Sequence, residues 1–367
     1  MNKLIVKTKT KYYPIYFGNN TLKNTGALIK KNLPGIKKIC IISDRKIPKK
    51  LLRKLIVSLK KYDLRIFKFS ITEKIKNLNT AKKIIEKLLY YNFNRSDCII
   101  AFGGGVTGDL SAFISSVVKR GLKFINIPST LLAQVDASIG GKTGINSGQG
   151  KNLIGTFYQP EFVLNDLLIL KSLPKREMIA GYGEILKHAL ILDKKFFLWL
   201  SKNGNKIIKK KNNFLKNAII KSCKIKGQIV TKDEKEKDLR MILNFGHTFA
   251  HGFEGAKNFS KKMNHGEAVL LGMIIASEMS NKKKLLSLKE LLLIKKHYQS
   301  MNLPSNIKKF FKKSEINKIL YFMQKDKKNT NEKIKLILLD RVGKVSKSKK
   351  TILNKNEIKK FLNSYYL

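Results

Sequence analysis

Along its first 170 residues the chain alternates short apolar runs with stretches whose apolar residues recur at helical spacing. Residues 38–43, 64–69, 98–102, 124–127 and 162–164 predict strands. Between them, 49–60, 80–91 and 110–119 predict helices. Strand and helix in alternation imply a parallel, doubly wound sheet. Residues 4–6 and 15–17 predict a further hairpin at one edge. From about residue 171 the alternation stops: 176–200, 213–231, 246–256, 266–279 and 286–297 are helical in pattern, and 333–339 with 343–345 predict a small hairpin. The expected fold is α/β + α, with a Rossmann-like doubly wound domain over residues 1–170 and a mainly helical domain over 171–367.

Composition adds limits. With 367 residues, 43% of them apolar, the chain has ample core. A net charge of +51 would ordinarily point to nucleic acid or an anionic membrane. Only eight of the 76 basic residues are Arg, however, and phosphate recognition favours the planar guanidinium fork. The lysines are spread through nearly every segment beside many Asn and Ile, as drift toward A/T-rich codons in a small genome produces. The runs at 209–211, 282–284 and 347–350 read as solvated surface. No dedicated nucleic-acid partner is expected, only salt-sensitive attraction to polyanions. Cys40, Cys98 and Cys223 lie far apart, the first two in apolar strand runs, so reduced thiols are expected. The N-terminus lacks the apolar core of a signal peptide, and no run approaches the ~20 apolar residues that span a bilayer. The expectation is a soluble cytoplasmic protein with no membrane partner.

Candidate chemistry falls in three motifs. At 98–109 an apolar run enters Gly103, Gly105 and Gly108, a G-x-G-x-x-G pattern after which a helix opens. Glycines there admit a pyrophosphate to the backbone, and a helix N-terminus favours its charge. No acidic residue stands at the ~20-residue distance of a ribose partner; Asp44 and Glu73 are the candidates for that role. At 134–146, Gly141-Lys142-Thr143 suggests a nucleotide P-loop, but Asp136 stands where that motif needs Gly. Asp136 and Lys142 read instead as polar groups set in a loop to hold a hydroxylated substrate, with Lys151 and Asn152 next along the chain. The third motif is the densest. Of five histidines, His247, His251 and His265 fall within two dozen residues, the first two on one helical face. Glu184, which shares a face with Lys187, is the candidate carboxylate completing a Glu/His/His metal set with His247 and His265. Three protein ligands would leave a position open for substrate.

These blocks, with the runs at 150–160 and 239–251 and the His-Gly-Glu-Ala-Val at 265–269, resemble the 3-dehydroquinate synthases in order and spacing from about residue 40 to 345. The resemblance implies Zn²⁺ or Co²⁺ on Glu184, His247 and His265. It implies NAD⁺ held by Asp44, Glu73, Lys76, Gly105, Val106, Thr107, Gly108, Asp109, Ser129, Thr130, Lys142, Lys151, Ile169, Leu170, Lys171 and Ser172. The family's substrate pocket maps onto Arg120, Asp136, Lys142, Asn152, Lys187, Lys226, Arg240, Asn244 and His251, with Lys327 or Lys328 beside them. Two positions depart from the family pattern. A glycine turn is missing from 71–76, where Glu73 and Lys76 remain, and Ser129 replaces a usual Thr. The implied activity converts 3-deoxy-D-arabino-heptulosonate 7-phosphate to 3-dehydroquinate and phosphate, on the shikimate route to chorismate. The implied assembly is a homodimer in which Arg120 reaches the phosphate in the neighbouring subunit's site. Another sugar-phosphate cyclase, or a polyol dehydrogenase of the same fold, is the rival enzyme; a basic nucleic-acid binder is the rival of another class.

Overall fold

Ile39 and Ile41 face one side of a central strand, Cys40 and Ile42 the other, and all four are fully buried. A strand buried on both faces needs helices above and below it. The computed structural model describes residues 1–260, 262–325, 333–346, 348 and 351–367, and divides into two units. The first comprises Met1–Pro174 and Leu215–Lys235, the second Lys175–Phe214 and Glu236–Leu367. The sequence suggested one boundary at 170/171; contacts place it after Pro174 and return Leu215–Lys235 to the first unit.

The first unit is built on strands β1 (Asn2–Lys7), β2 (Tyr12–Gly18), β3 (Lys38–Asp44), β4 (Asp63–Phe69), β5 (Cys98–Gly103), β6 (Lys123–Pro128), β7 (Ile145–Ser147), β8 (Gly150–Ile154) and β9 (Phe162–Asp166). Seven of them form a sheet ordered β1-β2-β9-β6-β5-β3-β4. The β1–β2 hairpin is antiparallel and occupies one edge, as its pattern predicts; the remaining pairs are parallel. Helices α1 (Thr25–Asn32) and α2 (Lys49–Ser58) supply Leu28, Ile29, Leu52 and Leu55 to one face. Helices α3 (Leu78–Tyr90) and α4 (Gly105–Val117) supply Ala81, Ile84, Leu88, Leu110, Phe113 and Ile114 to the other. Each fully buried Leu or Ile among them contributes about 1.5–3 kcal/mol. From β3 the chain moves outward to β4 and then crosses to β5 on the opposite side, so the strand order reverses between β3 and β5. That reversal is where doubly wound sheets bind ligands, at the carboxyl ends of the strands. Helix α4 starts at Gly105, earlier than the apolar pattern at 110–119 indicated, so Gly105 and Gly108 form its first turn.

The second unit is mainly helical. Residues 176–200, expected as one helix, form two: α5 (Lys175–Leu192) and α6 (Lys194–Ile208). The break is at Asp193, whose carboxylate accepts from the Phe196 amide as an N-cap. Helix α7 (Asn212–Lys232) carries residues from 215 onward to the first unit. Then come α8 (His247–Ala256), α9 (His265–Lys282), α10 (Leu288–Ser300), α11 (Ile316–Gln324) and α12 (Lys355–Asn363). The expected hairpin near the end is re-paired. Strand β10 (Lys333–Leu336) joins β13 (Thr351–Asn354), while β11 (Leu339–Arg341) joins β12 (Lys344–Val345). Among the described residues no helix is long and apolar enough to cross a membrane. Cys40, Cys98 and Cys223 are free and buried, and burial raises all three thiol pKa values.

Candidate active site

Several candidate residues of the first unit gather at the carboxyl ends of its parallel strands. Asp44 ends β3, Gly103 ends β5, Ser129 and Thr130 come directly after β6, and Ile169 to Ser172 lie in a short 3-10 segment after β9. The parallel register puts these strand ends side by side: Ser43 pairs with Phe102, and Gly103 with Pro128. Gly103 O accepts from the Ser129 amide at 2.8 Å, tying the glycine turn to that loop. Between them α4 opens at Gly105, Val106 and Thr107, whose amides precede its first intrahelical bonds. Gly108 faces Asn126, whose Nδ2 would be 3.1 Å from an added Cβ.

Where the glycine turn at 71–76 is missing, a 3-10 turn (Glu73–Ile75) stands in its place. It buries Lys76, whose ammonium pairs with Asp109 of the glycine motif and with Asn152. Asn146 continues the network: its Nδ2 donates to Glu73 Oε1 at 2.9 Å, and its Oδ1 accepts from the Asn152 amide at 3.0 Å. Burial raises the Asp109 pKa, and Lys76 beside it works against the rise. The 134–146 motif opens within a π-helical turn (Ala133–Ala137), an uncommon geometry found mostly at functional sites. Asp136 in that turn meets Lys226 of α7 at 2.8 Å, and the same ammonium donates to the Asp136 carbonyl at 2.7 Å. Lys142 is exposed and bridges Phe157; beyond it the chain enters the β7–β8 hairpin, with no helix to make a P-loop. Lys151 is partly exposed on β8.

Arg120 stands apart. It lies past the far end of the 13-residue α4, about 20 Å along that helix from the glycine turn. Lys119, Arg120 and Gly121 all have positive φ (50°, 63° and 129°), a strained succession for two non-glycine residues. The turn is held by Arg95 Nε donating to Lys119 O at 2.7 Å and by Tyr158 Oη donating to Leu122 O at 2.6 Å. Arg120 itself is exposed.

In the second unit, Glu184 of α5 and His247 and His265 at the starts of α8 and α9 converge, with donor atoms all within 4.8 Å of one another. Close helix approach makes this possible. Gly246, before α8, has φ +79°, and a Cβ there would lie 2.7 Å from the Met273 backbone nitrogen on α9. Gly266, in the first turn of α9, lies against α5: a Cβ there would sit 2.2 Å from the Ala180 Cα. Any larger residue at either position would push the helices apart. The start of α9 is fixed further by a capping box between Asn264 and Glu267, and Glu267 is held by a bidentate Arg176 (2.7 and 2.6 Å).

Glu184 is almost wholly buried. One carboxylate oxygen pairs with Lys187; the other, Oε1, has no hydrogen-bond partner and lies 3.7 Å from His247 Nε2. A buried carboxylate oxygen without a donor costs free energy unless a cation meets it. His247 Nδ1 faces the Phe245 carbonyl at 3.3 Å, which leaves Nε2 to the cluster. Burial, with Lys187, His265 and His251 adding to it, pushes the His247 pKa well below its usual value, so the ring is neutral. His265 Nδ1 lies 3.0 Å from Glu254 Oε2. The donor set of one carboxylate and two imidazoles suits Zn²⁺ or Co²⁺. His251 flanks His247 with ring centres 5.9 Å apart. Asn244 donates to Glu236 Oε1 at 2.8 Å, and Arg240 is buried in the same short segment (Leu239–Asn244). Lys327 and Lys328 lie outside the described residues.

Sequence reasoning missed Glu254, Glu236 and Asn146. Glu254 stands seven positions after His247 and so shares its helical face, a signal present in the sequence. Asn146 gave no such signal, because its partners Glu73 and Lys76 are 70 or more residues away.

Family models for the N-terminal and C-terminal regions of 3-dehydroquinate synthase match residues 66–180 and 181–329. A 3-dehydroquinate synthase of Pelagibacter ubique is 52% identical over 341 residues, 93% of either chain. Among solved structures, a 2-deoxy-scyllo-inosose synthase complexed with carbaglucose-6-phosphate, NAD⁺ and Co²⁺ is 26% identical with a TM-score of 0.88, over 99% of this chain and 100% of the other. A 2-epi-5-epi-valiolone synthase from Streptomyces hygroscopicus, with NAD⁺ and Zn²⁺ bound, shares the fold: TM-score 0.84 at 23% identity, over 96% of each chain. The two family models run without a gap through the glycine motif, Glu184 and the histidine helices, and the chain belongs to the 3-dehydroquinate synthases.

Proposed function

We propose that this chain is the enzyme converting 3-deoxy-D-arabino-heptulosonate 7-phosphate to 3-dehydroquinate and phosphate, with NAD⁺ and one Zn²⁺ or Co²⁺ per chain. The first unit is assigned NAD⁺ and the second the metal; both carry substrate-facing groups. The observation that carries the reading is Glu184 Oε1, buried without a hydrogen-bond partner beside the imidazoles of His247 and His265. Family membership supports the substrate, and the relatives with NAD⁺ and Co²⁺ or Zn²⁺ support the cofactors.

A metal on Glu184, His247 and His265 would supply Lewis acidity at the substrate C5 hydroxyl, and a bound NAD⁺ would supply a reversible hydride acceptor. The residues do the rest. The α4 N-terminus with Asp44, Glu73, Ser129, Thr130, Lys151 and the 169–172 segment orients the dinucleotide, while Lys76 and Asp109 hold the glycine turn in place. Lys142, Lys187, Lys226 and Arg240 meet a substrate bearing carboxylate and phosphate, and Asp136 and Asn152 bind its hydroxyls. His251 and Asn244 hold a proton path at the leaving phosphate. Product and substrate are at the same oxidation level, so the overall reaction would consume no NAD⁺. The assembly is a homodimer of the cytoplasm, acting in chorismate biosynthesis, with Arg120 of one subunit serving the other's phosphate. Exposed Val117 and Phe157 flank the Arg120 turn, and a Thr156–Ser116 hydrogen bond (2.9 Å) ties their two segments together.

The test is phosphate release from 3-deoxy-D-arabino-heptulosonate 7-phosphate. Many phosphates per NAD⁺, no accumulating NADH absorbance, and loss of activity with a chelator are expected. NADH produced in step with product would make the protein a simple dehydrogenase and end the reading.

A further inference from the structure

Three residues of α8 form one stripe: His247, His251 and Glu254 stand at i, i+4 and i+7. Glu254 is 8% exposed, and a carboxylate so nearly buried needs a donor. Its Oε2 lies 3.0 Å from Nδ1 of His265, on the neighbouring helix. His265 is the first residue of α9, with a side chain 38% exposed, so packing restrains its ring less than it does that of His247. His247 is oriented by a neutral acceptor, the Phe245 carbonyl, whereas His265 faces a carboxylate.

We propose that Glu254 is a positioning residue of the metal centre, setting the tautomer and ring orientation of His265. An ionised Glu254 accepts from Nδ1–H, which leaves the lone pair on Nε2 as the only ligating atom of that ring. The hydrogen bond also makes that nitrogen a stronger donor, since negative charge on the acceptor raises the basicity of the far side of the ring. This inference rests on the proposed metal centre. It adds a residue that touches neither metal nor substrate, and it divides the cluster: His247 is set by backbone, His265 by a side chain that mutation can remove.

The experiment uses the full chain stripped of metal, with Zn²⁺ affinity measured by competition against a chromogenic chelator. Wild type is expected to bind one zinc. Glu254→Ala should bind it about 10–100-fold more weakly, and Glu254→Gln, which keeps the shape and an acceptor but not the charge, should fall in between. The metal-free melting temperatures of all three should agree within about 2 °C. Affinity of both variants within about twofold of a zinc-binding wild type would overturn the proposal. A parallel loss of metal-free stability in both variants would assign Glu254 to packing and overturn it equally. A wild type that binds no zinc would remove the metal reading itself.

Discussion

The two units prepare for chemistry in opposite ways. At the sheet edge of the first, charged and polar groups satisfy one another: Lys76 with Asp109 and Asn152, Asn146 with Glu73, Lys226 with Asp136. In the second, three ligand-type side chains are pressed together on closely packed helices, and Glu184 Oε1 is left without a hydrogen bond. A self-satisfied network holds its shape before any ligand arrives. In the buried cluster Lys187 meets one oxygen of Glu184 and the other is left without a donor, which leaves a place for a further cation. All five histidines also fall in the second unit, which concentrates the metal-ligand type of side chain and the imidazoles that acid protonates there.

The sharpest break between the two regions would come from removing a ligand. His247→Ala should abolish stoichiometric zinc in elemental analysis and lower turnover by at least about a thousandfold, the several kcal/mol of Lewis-acid stabilisation it supports. NAD⁺ binding by titration calorimetry should persist, because the first unit's network does not involve this residue. Full zinc retention would sink the Glu184/His247/His265 assignment.

Acid should separate the units next. His297 is buried, hydrogen-bonded to Tyr182 Oη at 3.0 Å, and burial lowers its pKa from 6.5 to about 4. The unfolded chain therefore takes up this proton first as pH falls. The stability linked to neutral His297 is complete above about pH 6.5 and drains away toward pH 4, at ~1.4 kcal/mol per unit, or on the order of 3 kcal/mol in all. Hydrogen exchange at pH 4.5 should show α5 and α10 opening before the central strands β3 and β5. His297→Gln should flatten that part of the pH profile. A variant with the wild-type slope would show that some other group carries it.

In the first unit, Lys76→Ala should weaken NAD⁺ binding by roughly tenfold, the loss of a charge-assisted contact, with zinc content unchanged. Loss of zinc from this variant would erase the distinction between the two regions.

How far each region could be read in the sequence depends on the same division. Strands β3, β5 and β6 were legible because burial on both faces keeps their middles mainly apolar, and the glycine motif stood directly after β5. The histidine helices were legible because His is rare here and His247 and His251 are four apart. What the sequence hid is what depends on distant partners. The Asp193 cap that splits 176–200 looks like any acidic residue until the Phe196 amide turns toward it. Strand β10 has its partner beyond the nearer β11 and β12, and local pattern favours the nearer pairing. Asn146 and Glu254 act through residues 73 and 11 positions away, and only the fold joins them.

Arg120 tests whether the first unit's network is complete within one chain. The helix-end alternative is a favourable charge at the C-terminus of α4, worth at most ~1 kcal/mol at a surface. Against it stand the positive φ of Lys119 and Arg120 and the distance of that turn from the glycine motif. A turn strained at two non-glycine residues, presenting an exposed guanidinium, suits a contact made outside its own chain. If Arg120 serves a partner's phosphate, Arg120→Ala and Lys142→Ala are each inactive alone but complement when mixed. A mixed dimer then holds one site lacking both groups and one site lacking neither. Random assembly makes about half the dimers mixed, each half-active, so co-refolding should recover about a quarter of wild-type turnover. If Arg120 acts on its own chain, every site keeps one lesion and mixing recovers nothing. Mixed dimers formed in quantity, detected by mass and still silent, would end the shared-site reading and leave Arg120 as a helix-end charge.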